Sequence, residues 1–193
     1  MEVPDQKIIK LCKKNKREGF ELLFKKYERY IYSICYSYTY SQQDALDLVQ
    51  EIFLRIYRNF ENVDERKPIL PLIKKIAVNT CINYKRDTKN KASELSINSN
   101  VDDSDRTLED IVPDSGLTED KVVYLDTKKA LEESIKELPE DIKMAVLLRH
   151  IKGLSYNEIA ELMSCPVGTI KTYLYKGRKL LKESLVKKGI WAM

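Results

Sequence analysis

The sequence contains few of the residues that build metal sites and catalytic sites. Its only histidine is His150, and its four cysteines stand singly at Cys12, Cys35, Cys81 and Cys165. Neither the paired spacing of a zinc site nor that of a disulfide framework is present. No nucleophile, base and acid motif and no glycine-rich phosphate loop is found. We therefore expect no metal, no cofactor and no enzymatic activity, and we expect the thiols to be reduced.

Long apolar runs and strand patterns are also absent. No stretch approaches the roughly 18 uninterrupted apolar residues of a membrane span, and the opening MEVPDQKIIK lacks the apolar core of a signal peptide. Six glycines and six prolines are few for 193 residues, and no alternating apolar and polar pattern stands out. These features predict an all-α, soluble, cytoplasmic protein of one or two small domains.

The stretch from Leu154 to Leu185 has the pattern of two helices joined by a tight turn. Ser155 and Glu158 form a capping-box pattern, which starts the first helix near Tyr156. Proline is tolerated in the first turn of a helix, so a second helix is predicted to begin at Pro166 to Gly168. A short turn between two such helices is typical of a helix-turn-helix, whose second helix enters the DNA major groove.

The second of these helices has one apolar face and one face without any acid. At helical spacing the apolar face carries Val167, Ile170, Leu174 and Leu181, with Gly177 at its edge. The other face and its flanks carry Thr169, Lys171, Thr172, Tyr173, Tyr175, Lys176, Arg178 and Lys179. From Leu154 to Met193 there are seven lysines and arginines and three glutamates, a net charge of +4. An ordinary solvated face is the alternative, but the capped helix, the turn and the acid-free face together favour DNA binding.

A second informative stretch is the predicted helix DALDLVQEIFLRIYRNF, which begins after the capping pattern of Ser41 and Asp44. One of its faces is apolar and is formed by Ala45, Leu48, Val49, Ile52, Phe53 and Ile56. Six further residues lie off that face and mix apolar with acidic and amide groups: Leu46, Asp47, Gln50, Glu51, Leu54 and Tyr57. This mixture indicates either a protein-docking surface or a wider core stripe.

Charge is segregated along the middle of the chain. Glu61 to Pro71 interrupts the helical pattern, and a further helix is predicted from Leu72 to about Arg86. Arg66 to Lys91 contains eight cations and one acid, a net charge of +7. Asn90 to Asp120 contains nine acids and two cations, a net charge of −7, and few apolar residues. The acidic composition is typical of a flexible linker.

The predicted helices fall into two groups on either side of this linker. Ile8 to Ser37 is predicted to form two helices separated near Lys16 to Gly19. After the linker come a helix with apolar positions at Val122, Leu125, Leu131 and Ile135, and another with Met144, Leu147, Leu148 and Ile151. With the helix-turn-helix they form a four-helix module. We therefore predict two helical domains, residues 1–90 and 118–193, joined by an acidic linker at 91–117.

The order of these elements resembles one protein family. The helix DALDLVQEIFLRIY is followed by a break, by IAVNTCINYKR, by the acidic linker and by LPEDIKMAVLLRHIKGLSYNEIAELMSCPVGTIK. Over about residues 8 to 186 the chain closely resembles the extracytoplasmic-function (ECF) sigma factors of bacterial RNA polymerase. The resemblance implies a two-domain subunit that directs core polymerase to promoter DNA, with no cofactor and no catalytic residue.

The resemblance assigns three contact surfaces to residues of this sequence. The polymerase-binding residues, which meet the clamp of the largest catalytic subunit, would be Leu46, Asp47, Gln50, Glu51, Leu54 and Tyr57. Capture of the minus-ten element would use Arg66, Lys67, Lys74, Lys75, Asn79, Lys85 and Arg86, with Asn79 at a base pocket. Contacts to the minus-thirty-five element would come from Ser155, Thr169, Lys171, Thr172, Tyr173, Lys176 and Arg178.

The sequence departs from the family pattern in its promoter-binding regions. Ile69 and Leu72 stand where the family has phenylalanine and tryptophan, and Pro68 and Pro71 lie beside them. Tyr173 stands where some members carry arginine. A phenol cannot form the bidentate contact with guanine that arginine forms, so we expect a different promoter preference.

The resemblance also implies a regulatory partner. Members of the family are commonly held by an anti-sigma protein, often one anchored in the membrane, while the sigma factor itself does not enter the membrane. The alternative function is a repressor or activator that binds DNA through the same helix-turn-helix without touching polymerase. A ligand-binding or phosphorylation domain near the N-terminus would favour that alternative, and the sequence shows no sign of one.

Overall fold

The computed structural model of the protein describes residues 3–94 and 119–190, and within these ranges the chain is entirely helical. The helices are α1 (Asp5–Lys14), α2 (Lys16–Thr39), α3 (Gln42–Arg58), α4 (Leu70–Glu94), α5 (Glu119–Lys136), α6 (Glu140–His150), α7 (Tyr156–Met163) and α8 (Val167–Lys187), with a short 3₁₀ turn at Phe60–Asn62. The predicted all-α fold is confirmed. In the described ranges no helix combines the length and apolar character of a membrane span.

The helix before the predicted linker extends into the range expected for that linker. α4 continues to Glu94, so the first residues of the range 91–117 are helical. The remainder of that range, from residue 95, lies outside the described residues. α4 also begins at Leu70 instead of Leu72, because Pro71 is accommodated in the first helical turn, where its missing N–H needs no partner.

Helices α1 to α4, called here the N-terminal group, are organised around α2. α2 packs against α1, α3 and α4, and α3 also packs against α4. The predicted core face of α3 is confirmed, since Ala45, Leu48, Val49, Ile52, Phe53 and Ile56 are all buried. That face turns toward α2 and α4, so the other face of α3 is left to solvent.

The break between α1 and α2 lies at Asn15, just before the predicted range. Asn15 caps α2 by accepting a hydrogen bond from the amide of Glu18 at 3.4 Å. Gly19 lies inside α2 and serves close packing instead of interrupting the helix. A Cβ atom there would lie 2.3 Å from the backbone nitrogen of Cys12, so only glycine lets α1 approach α2 this closely.

Helices α5 to α8, called here the C-terminal group, form the predicted four-helix module. α8 packs against α5, α6 and α7. The hydroxyls of Ser134 on α5 and Ser184 on α8 are 2.9 Å apart, and Lys188 donates to Glu133 at 2.8 Å. The predicted apolar face of α5 is only partly used: Ile135 is buried, whereas Leu125 and Leu131 are exposed. Side-chain burial of Val122 lies outside the described residues.

Helix α6 is buried on nearly all sides. Every residue from Ile142 to Leu148 is buried, including Lys143, which is only 2% exposed. The helix contacts α7 and α8 of its own group as well as α2 and α4 of the N-terminal group. A helix enclosed in this way lacks a polar face. Ile151, predicted as an apolar core position, is instead 51% exposed, because α6 ends at His150.

Two of the cysteines that stand far apart in the sequence are neighbours in the core. The sulfur atoms of Cys35 on α2 and Cys81 on α4 are 4.0 Å apart. The hydrogen bond with Cys35, together with burial, raises the pKa of Cys81. Burial also raises the pKa of Cys12 to about 11. The Cys12 and Cys81 thiols are therefore protonated and poorly nucleophilic at neutral pH.

Candidate nucleic-acid interface

The capping box at the start of α7 has the predicted geometry. The Ser155 hydroxyl oxygen accepts from the amide of Glu158 at 3.3 Å, and the Ser155 amide donates to the Glu158 carboxylate at 2.8 Å. Hydrogen bonds from the hydroxyl and amide of Ser155 lower the pKa of Glu158. The helix start at Tyr156 is confirmed. Ser155 is exposed, but its hydroxyl also donates to Glu158 at 2.7 Å, so it is occupied by the cap before any DNA arrives.

The turn between α7 and α8 is made by Ser164, which has a left-handed backbone with a φ of 52°. The amide of the next residue, Cys165, bonds back to the carbonyl of Ala160 at 3.0 Å and closes the end of α7. Pro166 follows in an extended conformation as the N-terminal flanking residue of α8. The predicted tight turn is therefore present, although serine is an unusual residue for a left-handed position.

α8 is fixed by its apolar face. Ile170 and Leu174 are buried, and Val167 and Leu181 are half-buried. Gly177 lies directly against α6, where a Cβ atom would be 2.6 Å from Cγ2 of Val146. This close approach determines which side of α8 faces the protein.

The opposite side of α8 is open and basic. The residues Lys171, Thr172, Tyr175, Lys176, Arg178 and Lys179 are exposed, and Thr169 and Tyr173 are half-buried. Within the described part of the chain, no carboxylate forms an ion pair with Lys171, Lys176 or Arg178, while Lys179 is 4.0 Å from Glu183. Thr172 donates its hydroxyl to the Gly168 carbonyl at 3.0 Å. This surface presents cations, a hydroxyl and a phenol with little competition from acids.

The outward face of α3 is also open. Leu46 is 43% exposed, Leu54 is 48% exposed and Tyr57 is 43% exposed. Asp47 and Gln50 are exposed, and the half-buried Glu51 accepts from Arg55 at 2.7 Å. The alternative of a wider core stripe is wrong for Leu46 and Leu54, because close to half of each side chain is exposed, while Tyr57 is covered by α2 on one side only. The six residues form one mixed apolar and acidic surface, called here the α3 face.

Tyr57 is held at the edge of the α3 face. Its ring meets the ring of Phe20 edge-on, with the centroids 4.8 Å apart. The ammonium of Lys16 lies 4.3 Å from the Tyr57 ring centroid. The ring is therefore oriented by α2 before any partner binds.

The predicted basic segment is divided between a loop and α4. Arg66 and Lys67 are exposed in the loop, where the amide of Arg66 bonds to the Asp64 carboxylate at 2.9 Å. On α4, Lys75 is exposed, whereas Lys74 and Asn79 are half-buried. Lys85 and Arg86 lie within α4, and their side chains are outside the described residues.

The two positions where the family aromatics are replaced have different environments. Ile69 is buried and anchors the loop to the core of the N-terminal group. Leu72 is 38% exposed on the first turn of α4. The loop is thus held by an aliphatic residue, while the neighbouring position offers an apolar surface without an aromatic ring.

Several polar residues that join the two groups of helices could not be identified from the sequence. Tyr38 on α2 donates to Glu140 on α6 at 2.7 Å, and Lys152 donates to Ser33 at 2.7 Å. These pairs are separated by 102 and 119 residues along the chain. No local pattern connects residues so far apart. Two local features of the sequence hint at this contact. Lys143 is a charged residue within the apolar run of α6, and tyrosines are dense at the end of α2.

An apolar groove also lies between the two groups. It has a volume of about 800 Å³. Its walls come from α2, α5, α6 and α8 and include Tyr36, Tyr40, Leu131, Ile135, Ile151 and Leu181. Four basic residues and one acid line it as well, namely Lys128, His150, Arg178, Lys182 and Glu132. The apolar positions of α5 were predictable from helical spacing, but their exposure in this groove was not.

Comparison with known protein families identifies both halves of the chain. The family model for Sigma-70 region 2 matches residues 23–91, and the model for Sigma-70, region 4 matches residues 128–181. The first match runs from within α2 to within α4, and the second contains α7 and most of α8. These two regions define a sigma-70 type promoter-specificity subunit.

Individual relatives align over nearly the whole chain. The chain is 31% identical to the ECF RNA polymerase sigma factor SigW of Bacillus subtilis over 187 residues, covering 96% of this chain and 98% of the relative. It is 30% identical to the ECF RNA polymerase sigma-E factor of Escherichia coli, covering 95% of each. It is 28% identical to the RNA polymerase sigma-H factor of Pseudomonas aeruginosa, covering 94% of this chain and 93% of that protein.

Solved structures share the fold. CnrH, in complex with the cytosolic domain of CnrY, matches with a TM-score of 0.59 at 14% identity, covering 95% of this chain and 97% of the other. RpoE, in complex with the anti-sigma factor NepR from Bartonella quintana, matches with a TM-score of 0.59 at 20% identity, covering 87% of this chain and 97% of the other. The chain belongs to the ECF RNA polymerase sigma factors. It is an alternative sigma factor that directs promoter-specific transcription.

Proposed function

We propose that three surfaces of this sigma factor carry out promoter recognition. Residues 1–90 would form the domain that binds polymerase and the minus-ten element, residues 91–117 the connecting linker, and residues 118–193 the domain that binds the minus-thirty-five element. The observation that carries this proposal is the exposure of both the α3 face and the basic face of α8 in one molecule. A DNA-binding repressor would need only the second of these surfaces.

α8 is the element proposed to enter the major groove at the minus-thirty-five element. Lys171 and Lys176 project from its open side and offer donors to base edges or phosphates. Thr172, whose hydroxyl donates to the Gly168 carbonyl, offers an acceptor oxygen and a methyl group. Tyr173, which is half-buried, would contribute a single hydroxyl at the rim of the contact. A contact from Ser155 to a backbone phosphate would position the protein on the duplex, and it requires the hydroxyl to turn away from the Glu158 carboxylate that it bonds in the cap.

The loop before α4 and the first turns of α4 are proposed to bind the minus-ten element. Arg66, Lys67 and Lys75 are exposed cations that can neutralise the backbone of an opened strand. Asn79 offers an amide to an extruded base, and Leu72 offers an apolar contact in place of an aromatic ring. Because stacking on an aromatic ring contributes about 1–3 kcal/mol per base, duplex opening should depend more on backbone contacts here than in members that keep the ring.

The α3 face is proposed to bind the clamp of the largest catalytic subunit of polymerase. Leu46, Leu54 and Tyr57 would supply the apolar centre of the interface, and Asp47, Gln50 and Glu51 would supply its polar contacts. An apolar centre surrounded by polar groups is the usual anatomy of a protein interface. We further propose that the protein acts in the cytoplasm as a non-catalytic subunit of the polymerase.

An anti-sigma protein is the proposed regulator. Of the two solved structures compared above, one is a complex with an anti-sigma factor and the other a complex with the cytosolic domain of CnrY. In this chain the groove of about 800 Å³ is the proposed binding site for an amphipathic helix of the partner. Because Lys128, Arg178 and Lys182 line it with only Glu132 of opposite sign, acidic residues beside the apolar positions of that helix would fit.

Reconstituted transcription tests the proposed function directly. Purified protein and core polymerase should give specific run-off products from a genomic promoter library, without any ATP-hydrolysing activator. The control is core polymerase alone. An absence of products beyond that control, together with retained binding of duplex DNA, would favour the repressor alternative.

A further inference from the structure

The segment before α4 that is proposed to bind the minus-ten element carries an excess of acid. Residues 61–69 contain three acids and two cations, namely Glu61, Asp64, Glu65, Arg66 and Lys67. The net charge of this segment, called here the 61–69 segment, is therefore −1. Such a charge would repel the phosphates of an opened strand. Residues elsewhere in the protein must compensate the acids if the segment is to bind DNA.

Two lysines from the preceding helices pair with the glutamates of this segment. The ammonium of Lys13, near the end of α1, lies 3.2 Å from the Glu65 carboxylate, and the two side chains are 32% and 38% exposed. The ammonium of Lys16, at the start of α2, lies 3.7 Å from the Glu61 carboxylate, whose side chain is 77% exposed. The pair of Lys13 and Glu65 is shorter and less exposed, so it is the stronger of the two. With both lysines included, the local net charge changes from −1 to +1.

The turn that carries Arg66 and Lys67 is fixed at both ends. Val63 before it and Ile69 after it are buried. Between them the Asp64 carboxylate accepts from the Arg66 amide at 2.9 Å, and the Asp64 carbonyl accepts from the Lys67 amide at 3.2 Å. The third acid is thus engaged by the backbone of its own turn, while both cations remain exposed.

α1 is itself held firmly in the N-terminal group, and its buried residues are Ile8, Ile9 and Cys12. At its start, the Asp5 carboxylate accepts from Lys26 at 2.8 Å and from Tyr27 at 2.6 Å, both on α2. Burial would raise the pKa of Asp5, but these two bonds, with a smaller contribution from the backbone amide of Ile69, lower it. α1 therefore gives Lys13 a fixed base and also reaches the end of the 61–69 segment.

We propose that Lys13 is a positioning residue for the minus-ten element: it holds the Glu65 carboxylate against α1, so that Arg66 and Lys67 meet the opened strand without a competing acid. This inference rests on the proposed function of the 61–69 segment. The match to Sigma-70 region 2 begins at residue 23, so α1 lies before it and receives no role from it. Lys13 acts only through Glu65 and does not contact the strand itself.

Binding of a minus-ten strand by the full chain in complex with core polymerase measures this role. The probe is a fluorescent single strand from a promoter found in the run-off assay. In Lys13→Gln we expect the Kd for the probe to rise about threefold to fivefold, because the released Glu65 carboxylate repels phosphates and an exposed ion pair supports a change of this size. The matched control is Lys14→Gln, which removes the same charge at the next exposed position, where no ion pair forms with a described residue. The control should stay within about twofold of the wild type.

Two further variants separate positioning from direct contact with DNA. In a Glu65→Gln background the partner of Lys13 is gone, so adding Lys13→Gln should change the Kd no more than the control does. Lys13→Arg keeps a cation that can pair with Glu65 and should restore the wild-type Kd. An equal loss from Lys13→Gln with and without the Glu65 carboxylate would mean that Lys13 contacts the strand itself, and this would overturn the proposal. A Kd for Lys13→Gln equal to that of Lys14→Gln would overturn it as well.

Two more measurements separate this inference from a purely structural role and from the proposed function. Every variant should bind core polymerase with the wild-type Kd, since Lys13 lies outside the α3 face. If Lys13→Gln lowered the free energy of unfolding in urea but left the Kd for the probe unchanged, the pair would be structural and the proposal wrong. Normal run-off products without coupling between Lys13 and Glu65 would overturn the positioning role alone. An absence of run-off products from the wild type would overturn the proposed function and this inference with it.

Discussion

Truncating the apolar centre of the α3 face should weaken polymerase binding without unfolding the protein. Leu46 and Leu54 are 43% and 48% exposed, so about half of each side chain remains to be buried by a partner. Full burial of a leucine contributes about 1.5–3 kcal/mol, so each truncation to alanine should weaken binding by about 1 kcal/mol. The double variant Leu46→Ala with Leu54→Ala should therefore raise the Kd for core polymerase about 30-fold.

Titration of fluorescently labelled core polymerase with the full chain would measure this change. A urea unfolding curve for each variant would check that the free energy of unfolding is nearly unchanged, as expected at half-exposed positions. The matched control is Tyr124→Ala with Leu125→Ala, which truncates comparably exposed apolar residues on α5. If the Leu46 and Leu54 double variant bound polymerase as tightly as this control, the α3 face would not be the docking surface.

Three further predictions concern DNA binding and stability. Lys176→Ala should weaken minus-thirty-five duplex binding by about 1–3 kcal/mol if Lys176 contacts a base; a smaller loss that is uniform across sequences in an anisotropy assay would indicate a phosphate contact. Gly19→Ala should lower the free energy of unfolding by about 1–3 kcal/mol or more, because the new Cβ would meet the Cys12 backbone; urea unfolding that matched the wild type would contradict this. Burial would raise the pKa of Asp5, but hydrogen bonds from Lys26 and Tyr27 outweigh it and lower the pKa below its ordinary value. The stability that Asp5 contributes should therefore be complete above the ordinary aspartate pKa of about 3.9. It should be lost as the pH falls through the lowered pKa of the folded protein. In acid unfolding curves, Asp5→Asn should therefore make the loss of stability over this pH range less steep than in the wild type.

The helices were predictable because each carries local signals. The apolar face of α3, the capping box at Ser155 and Glu158 and the proline before α8 all act within a few residues, so their effects can be read from spacing alone. The basic face of α8 was also predictable from spacing. Once the apolar face of a helix is identified, helical periodicity shows which residues lie on the opposite face. Gly19 shows the limit of such reasoning. Glycine disfavours helices and so predicts a break there, but its role depends on a neighbouring helix.

The errors of the sequence analysis concern burial, which depends on tertiary contacts and not on local spacing. Ile151, Leu125 and Leu131 have helical spacing but remain exposed, and Leu131 and Ile151 line an open groove instead of a closed core. Lys143 is charged yet buried, since α6 is enclosed by helices of both groups. The packing of the two groups decides which surfaces of a helix are covered. That packing cannot be predicted from local sequence, because contacting residues such as Tyr38 and Glu140 are far apart along the chain.

The burial of α6 places charged groups at the contact between the two groups of helices. Separation of the two groups would expose the side of α6 that faces α2 and α4, including the ammonium of Lys143 and the carboxylate of Glu140. Both charged groups gain hydration when exposed, which offsets part of the apolar area returned to water. A wholly apolar interface would hold the groups together more tightly and resist opening. The charged residues at this contact therefore make it weaker than an apolar contact of the same area.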